Sequence, residues 1–168
     1  MVEYQRKDRY DINDLRDIMS ILRSPQGCPW DREQIHKSIR NDFIEEVYEA
    51  IEAIDLEDTE LLKEELGDVL LQIIFHCRIE EEKSCFDFDD ICDELCKKLI
   101  IRHPHVFGDI TVSDSGEVLK NWDSIKKETK GQTSYTETLT SVAKSLPALM
   151  RAQKVGKRAM RAGMDFSC

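Results

Sequence analysis

The chain is poor in residues that interrupt helices and has no long apolar run. Its 168 residues include 7 glycines and 4 prolines, and no β-hairpin or βαβ pattern is evident. No segment reaches the ~18 apolar residues that cross a bilayer, and residues 1–8 lack the apolar stretch of a signal peptide. The sequence therefore predicts an all-α, soluble, cytoplasmic protein that does not associate with a membrane.

Paired cysteine motifs are also missing. The chain has 6 cysteines, and in a cytoplasmic protein we expect them to be reduced thiols, mostly small buried core residues. A structural zinc site built from Cys77, Cys85, Cys92 and Cys96 is the alternative. It is less favoured because zinc sites usually show CxxC or Cys/His spacing, which is absent here.

Basic residues are scarce in the middle of the chain. Residues 42–94 contain 20 acidic and 3 basic residues, whereas residues 95–168 contain 7 acidic and 13 basic ones. This acidic middle argues against a nucleic-acid partner, which requires a basic surface. A polyanionic ligand would need bound cations there, with help from basic residues of the second half: Lys97, Lys98, Arg102, Lys120, Lys126, Lys127 and Lys130.

Two acidic clusters, at residues 45–49 and 65–68, lie in strongly helical segments. Glu46 and Glu49 are three residues apart, as are Glu65 and Asp68, so each pair projects from one side of its helix, about 60° apart. Carboxylates crowded in this way repel one another, unless a divalent cation lies between the two helices. All-oxygen ligands suit Mg²⁺ or Mn²⁺. The alternative is a solvated acidic face.

The apolar pattern places these acids beside the predicted core. The apolar stripes comprise Phe43, Val47, Ala50, Ile51 and Ile54 on the first helix, and Leu66, Val69, Ile73 and Cys77 on the second. The acids border these stripes, where a metal ion between packed helices would need them. Glu45 points further outward. Gln72 and His76 continue the row of Glu65 and Asp68 and would either line a pocket or form a satisfied polar pair.

The periodicity predicts a helical bundle. Helices are expected over residues 11–22, from 32 or 38 to 55, from 59 to 83, over 88–102, from 114 or 115 to 130, and over 147–162. The fourth of these should turn Ile91, Leu95, Leu99 and Ile100 inward. Residues 23–31 are expected to form a loop, in which Trp30 packs over a helix end or faces a ligand. The predicted domain division is 1–131, a catalytic helical domain, and 132–168, a linker with a helical arm.

The motifs resemble those of the MazG-type nucleoside triphosphate pyrophosphohydrolases, in the all-α NTP pyrophosphatase superfamily. The acidic residues fit the family pattern of EExxE, a spacer and ExxD. Other matching segments are CPWD at 28–31, EELGD at 64–68, RHPHVFG at 102–108, Asn121-Trp122 and the tail from Lys144 to Gly163-Met-Asp-Phe. The resemblance extends from about residue 13 to 166. Longer members carry two such domains, and in some the second is the competent one.

The resemblance implies Mg²⁺-dependent hydrolysis of (deoxy)nucleoside triphosphates to the monophosphate and pyrophosphate. Glu46, Glu49, Glu65 and Asp68 would hold the metal. Glu45 would orient the attacking water or a second ion. The nucleotide would be bound by Lys98, Arg102, Trp122 and Lys126, with Gln72 and His76 as further contacts.

Two other functions compete with this one. A ferritin-like di-iron protein needs Glu-x-x-His on two helices, and only Glu33-x-x-His36 fits, outside both acidic clusters. A nucleotide-binding regulatory module that retains metal and ligand but not turnover is the stronger alternative. The resemblance further implies assembly as a homodimer or tetramer, which would complete the helical bundle.

Overall fold

A computed structural model describes residues 4–129 and 134–164, apart from the side chains of Lys120, Asp123, Lys126, Lys127 and Glu128. Every regular element in these residues is an α-helix, which confirms the predicted all-α class. The helices are α1 (Ile12–Leu22), α2 (Pro29–Glu33), α3 (Arg40–Asp55), α4 (Thr59–Glu81), α5 (Phe88–Arg102), α6 (Pro104–Phe107), α7 (Ser115–Thr129), α8 (Tyr135–Thr140) and α9 (Ala148–Arg161).

Aspartate side chains fix the starts of the principal helices. Asp11 accepts hydrogen bonds from the backbone N–H groups of Asn13 and Asp14 at 2.8 and 3.1 Å, and Asp14 accepts one from the Asp11 N–H at 3.0 Å. Asp58 caps α4 in the same manner. These bonds satisfy N–H groups that have no partner inside the helix. The predicted starts of both helices are confirmed.

Residues 1–94 form one of two compact units. In it α3 and α4, joined by residues 56–58, pack together, and α1 packs against α4. The buried core consists of Met19, Ile39, Ile74, Phe75 and Ile79, with Leu15, Leu70, Leu71 and Phe88 packed against it. Since α4 lies between α1 and α3, packing on two sides fixes its position. The same packing fixes the row of Glu65, Asp68, Gln72 and His76 along it.

Residues 95–168 form the second unit. Within it α8 packs against α9, and Arg158 donates hydrogen bonds to Ser141 Oγ, at 2.8 Å, and to the Thr138 carbonyl. Helix α5 contains the division between the units. The predicted domain boundary at residues 131–132 stays a prediction.

Short helices lie where the sequence predicted irregular structure, among them α2 and α8. Pro29 opens α2 inside the predicted loop, because its fixed φ suits the first turn of a helix. Ser134 and Glu137 form a capping box that starts α8, within the predicted linker. Both are shorter than the stretch over which apolar periodicity can be detected.

The predicted core faces of α3, α4 and α5 are partly wrong. Helix α3 buries Ala50 and Ala53, and α5 buries none of its residues. Eight predicted core residues are exposed: Val47, Ile51, Ile54, Leu66, Ile91, Leu95, Leu99 and Ile100. The small side chains of Ala50 and Ala53 allow close packing, which leaves the larger residues of α3 on the neighbouring face.

The described cysteines are free thiols. Cys77 is buried as predicted, but Cys85 and Cys96 are exposed, so the expected burial is wrong for these two. Cys168 lies outside the described residues. In the described ranges, no helix combines the length and apolar character that crossing a membrane requires.

Candidate functional site

Three carboxylates from two helices converge in the first unit. One oxygen from each of Glu46, Glu49 and Glu65 lies within 4.8 Å of the other two. Glu46 and Glu49 are adjacent on one side of α3, and Glu65 reaches them from α4. We call these three residues the carboxylate cluster. The packing of α3 against α4 thus brings together acids that are 16 to 19 residues apart in the sequence.

The environment of the cluster disfavours negative charge. Burial, followed by the charges of Asp68 and Glu49, raises the pKa of Glu46 above its ordinary value. Burial also raises the pKa of Glu65, and the charges of Glu49, Glu64 and Asp68 add to the effect. A bound cation would reverse this balance, because it favours the ionised form of every carboxylate around it.

The remaining two predicted acids lie outside the cluster. Asp68 is half-buried on α4, and its charge contributes to the raised pKa of both Glu46 and Glu65, but its carboxylate is not one of the three that converge. Glu45 is exposed on α3. The donor set of three carboxylates fits a hard divalent cation such as Mg²⁺ or Mn²⁺, since such ions prefer oxygen ligands and several carboxylates in one site.

A polar row continues along α4 beyond the cluster. Gln72 is buried, 8% exposed, and its Oε1 atom has no hydrogen-bond partner. Nδ1 of His76 lies 2.7 Å from Nδ1 of His36, with the two rings stacked at 5.0 Å, and Phe43 packs against His76 at 5.5 Å. The alternative that Gln72 and His76 form a satisfied pair is therefore wrong, because the partner of His76 is His36.

Sequence reasoning missed Glu80, the next residue of this row, and His36, which bonds to the row from the segment before α3. His36 bonds through Nε2 to the Glu80 carboxylate, so it joins the segment before α3 to α4 at two points. Glu80 follows His76 at the same four-residue spacing that separates Gln72 from His76. That spacing was a usable signal for Glu80. His36, in contrast, is brought to α4 only by tertiary packing.

The second unit assembles an aromatic and basic group of its own. The guanidinium carbon of Arg102 lies 5.3 Å from the centre of the Trp122 ring, and His103 meets the same ring edge-on at 4.9 Å. Such a cation–π contact is attractive and keeps the guanidinium group close to the indole ring. Lys98, one turn before Arg102 on α5, is exposed. The side chain of Lys126 lies outside the described residues.

Trp30 does not pack over a helix end. It lies in α2 with 58% of its surface exposed, and its carbonyl accepts a hydrogen bond from Gln34 Nε2 at 2.9 Å. The first of the two roles expected for Trp30 is therefore wrong. A role in contacting a ligand stays a prediction.

Residues 34–107 match the family described as the MazG nucleotide pyrophosphohydrolase domain. The matched segment includes both acidic clusters and the polar row of α4. The "Nucleoside triphosphate pyrophosphohydrolase" of Escherichia coli K12 is 45% identical to this chain over 157 residues, which are 93% of this chain and 60% of the relative. The "Nucleoside triphosphate pyrophosphohydrolase/pyrophosphatase MazG" of Thermotoga maritima is 44% identical, over 92% of this chain and 59% of the relative.

A third relative, the "Uncharacterized protein YabN" of Bacillus subtilis, is 48% identical over 88% of this chain but only 30% of its own length. The chain thus spans between 30% and 60% of these three relatives. Among solved structures, a "mazG-related protein from Thermotoga maritima" superposes with a TM-score of 0.58 at 25% identity, over 69% of this chain and 99% of that protein.

Proposed function

We propose, from the match of residues 34–107 to the MazG domain family and the similarity of most of the chain to nucleoside triphosphate pyrophosphohydrolases, that it is an enzyme that hydrolyses (deoxy)nucleoside triphosphates to the monophosphate and pyrophosphate in the presence of Mg²⁺. The observation that carries this proposal is the carboxylate cluster, whose oxygens lie within 4.8 Å of one another and in which the pKa values of Glu46 and Glu65 are raised. Triphosphates are polyanions, and they can approach this acidic segment only together with cations.

Glu46, Glu49 and Glu65 would hold the ion, with Asp68 next to them as a fourth ligand; Mn²⁺ would also fit. When bound, such an ion would supply Lewis-acid chemistry, neutralising phosphate oxygens and favouring ionisation of the attacking water. Glu45, exposed beside Glu46, would orient that water. Within the second unit, the resemblance assigns phosphate binding to Lys98 and Arg102, stacking on the base to Trp122 and a further nucleotide contact to Lys126.

A panel of nucleotides tests the activity and its selectivity. Apart from stacking, the proposed contacts are to phosphate and metal, and every base presents a stackable face, whereas large discrimination needs hydrogen bonds to the base. We expect Mg²⁺-dependent pyrophosphate release from several NTPs and dNTPs, with rates within roughly tenfold of one another, or about 1.4 kcal/mol. Monophosphates should not react.

Two results of the same panel would contradict the proposal. A preference above about a thousandfold for one nucleotide would mean that a base-reading contact controls selectivity. Binding of nucleotide and Mg²⁺ without release of pyrophosphate from any member would instead assign the chain to the regulatory, non-hydrolysing class.

Assembly as a homodimer is the second expectation. Beside its buried alanines, α3 exposes five large side chains: Ile44, Val47, Tyr48, Ile51 and Ile54. A contiguous apolar face of this kind is typical of an interface, and a two-fold axis would pack it against its own copy. We expect light scattering at micromolar concentration to give at least twice the 19.5 kDa mass of the chain.

Substitution on this face provides the control. Ile51→Asp should shift the protein to the monomer, whereas Ile35→Asp, at an exposed isoleucine outside the helices, should not. A wild-type protein that remains near 20 kDa at all concentrations, or an equal effect of both variants, would contradict an interface at α3.

A further inference from the structure

Gln72 is the single amide in a row on α4 that otherwise consists of carboxylates and a histidine. It lies between Asp68, one turn before it, and His76, one turn after it. It is 8% exposed, and its Oε1 atom has no hydrogen-bond partner. Buried polar atoms in natural proteins nearly always have a partner, and exceptions often have a functional reason. A buried acceptor without a partner costs free energy until a donor reaches it.

His76 cannot supply that donor through the nitrogen already in use. Lys83, followed by His36, lowers the pKa of Glu80 to about 2, so Glu80 is a carboxylate at neutral pH and only accepts hydrogen bonds. His36 therefore carries its proton on Nε2, which faces Glu80. The 2.7 Å contact between the two Nδ1 atoms then contains a single proton, donated by one ring and accepted by the other.

This arrangement fixes the orientation of the His76 ring. Its Nδ1 is committed to His36, and one face packs against Phe43. In the described part of the chain its Nε2 has no hydrogen-bond partner. Two successive residues of the row, Gln72 and His76, thus hold unused hydrogen-bonding atoms at positions set by helix packing.

The position of Gln72 relative to the cluster selects the kind of donor. Along α4 it lies about 6 Å beyond Asp68 and about 10 Å beyond Glu65, at 1.5 Å per residue. The sugar of a nucleotide lies a few bonds beyond the α-phosphate. If the phosphates bind a cation at the carboxylate cluster, the sugar therefore lies at a distance from the cluster similar to that of Gln72. The neutral amide suits an uncharged hydroxyl, because a further carboxylate there would repel the phosphates.

We propose that Gln72 Oε1 accepts a hydrogen bond from a sugar hydroxyl of the bound nucleotide and that the immobilised His76 ring forms the adjoining wall of this nucleoside subsite. The inference rests on the proposed function. It adds a contact to a group that all nucleosides share, so it is compatible with weak selectivity among bases.

The test compares three ligands on two proteins. The ligands are an α,β-methylene deoxynucleoside triphosphate, its 2′,3′-dideoxy counterpart and inorganic tripolyphosphate, each titrated calorimetrically with Mg²⁺. The variant is Gln72→Met, which retains the length of the side chain but removes the acceptor. Gln153→Met, at an exposed glutamine of α9, is the matched control.

Wild-type protein and Gln153→Met should bind the deoxy analogue about tenfold more tightly than the dideoxy analogue. Gln72→Met should bind the two equally, with unchanged affinity for tripolyphosphate. Its unfolding midpoint in urea should be no lower than that of the wild type, because an unsatisfied acceptor has been removed.

Retained discrimination in Gln72→Met, or a reduced unfolding midpoint, would overturn the assignment of Gln72 while leaving the proposed function standing. Failure of the wild type to bind tripolyphosphate with Mg²⁺ would count against the metal–triphosphate site itself. The tripolyphosphate titration therefore separates the two failures.

Discussion

Glu49→Gln, and separately Asp68→Asn, should reduce Mg²⁺-dependent pyrophosphate release to below about a hundredth of the wild-type rate, a loss typical of a removed transition-state contact. Glu49 is one of the three converging carboxylates, and the charge of Asp68 acts on the other two. An amide retains the shape of each side chain but gives up the negative charge that a hard cation requires. Circular dichroism should show an unchanged helical content.

Glu52→Gln is the matched control for Glu49. It removes the same charge from an exposed position on the same helix, outside the carboxylate cluster. Its activity should stay within about twofold of the wild type, because the loss of an exposed charge has a small energetic effect. Mn²⁺ binding, followed by electron paramagnetic resonance, should weaken in Glu49→Gln and not in Glu52→Gln. Wild-type activity in both Glu49→Gln and Asp68→Asn would refute the assignment of the metal site.

The metal-free protein offers a second measurement of the same site. Folding raises the pKa of Glu46 above the ordinary value of 4.5, so the protonated form is favoured in the folded state. This contribution to stability is present below pH 4.5 and is lost as pH rises through the folded pKa. Glu46→Gln should therefore be more stable than the metal-free wild type at pH 8, and the difference should shrink toward pH 5 in urea titrations.

The acidic residues of the site were predictable from the sequence because their spacing is a local property of a helix. Glu46 and Glu49, three residues apart, must project from one side of α3 whatever surrounds that helix. Which acids converge is instead decided by the depth and rotation of α3 against α4. The structure brings in Glu65 and leaves Asp68 at the margin of the cluster. Periodicity at 100° per residue does not contain that information.

The apolar faces show a related limit. The stripe containing Val47, Ile51 and Ile54 was correctly identified as apolar, yet these residues are exposed and Ala50 and Ala53 are buried. Hydrophobic periodicity shows that a face avoids water, but it does not distinguish burial within a chain from burial between chains. The contact between His36 and His76 was hidden for another reason, since 40 residues separate the two rings in the sequence.

Arg23→Met should lower the free energy of unfolding by roughly 2–3 kcal/mol, because it removes a buried guanidinium and leaves the Glu82 carboxylate with Arg78 as its remaining partner. The Arg23 side chain is 5% exposed, and its Nε and Nη2 atoms donate to the two Glu82 oxygens at 2.9 and 2.8 Å. Its Nη1 donates to the carbonyls of Asp31 and Gln34, and its guanidinium carbon lies 5.3 Å from the centre of the Phe75 ring.

These contacts tie the end of α1, the α2 segment and the end of α4 together, although Arg23 appeared in the sequence only as the first residue of a loop. Arg32→Met is the control, because Arg32 is exposed and its side chain donates a single bond, to the Pro25 carbonyl at 2.8 Å. Urea unfolding at pH 7 should show a loss below about 1 kcal/mol for Arg32→Met.

A double variant and a pH series identify the origin of the effect. Arg23→Met with Glu82→Met should cost less than the sum of the two single changes, because each removes the same pair of hydrogen bonds between Arg23 and Glu82. Hydrogen bonds from Arg23 hold the pKa of Glu82 below its ordinary value. The stability that the pair contributes is therefore present above pH 4.5 and is lost as pH falls through the folded pKa. Arg23→Met should show a smaller loss on acidification than the wild type. A cost under 1 kcal/mol, with unchanged acid sensitivity, would mean that Arg23 is not what joins these three segments.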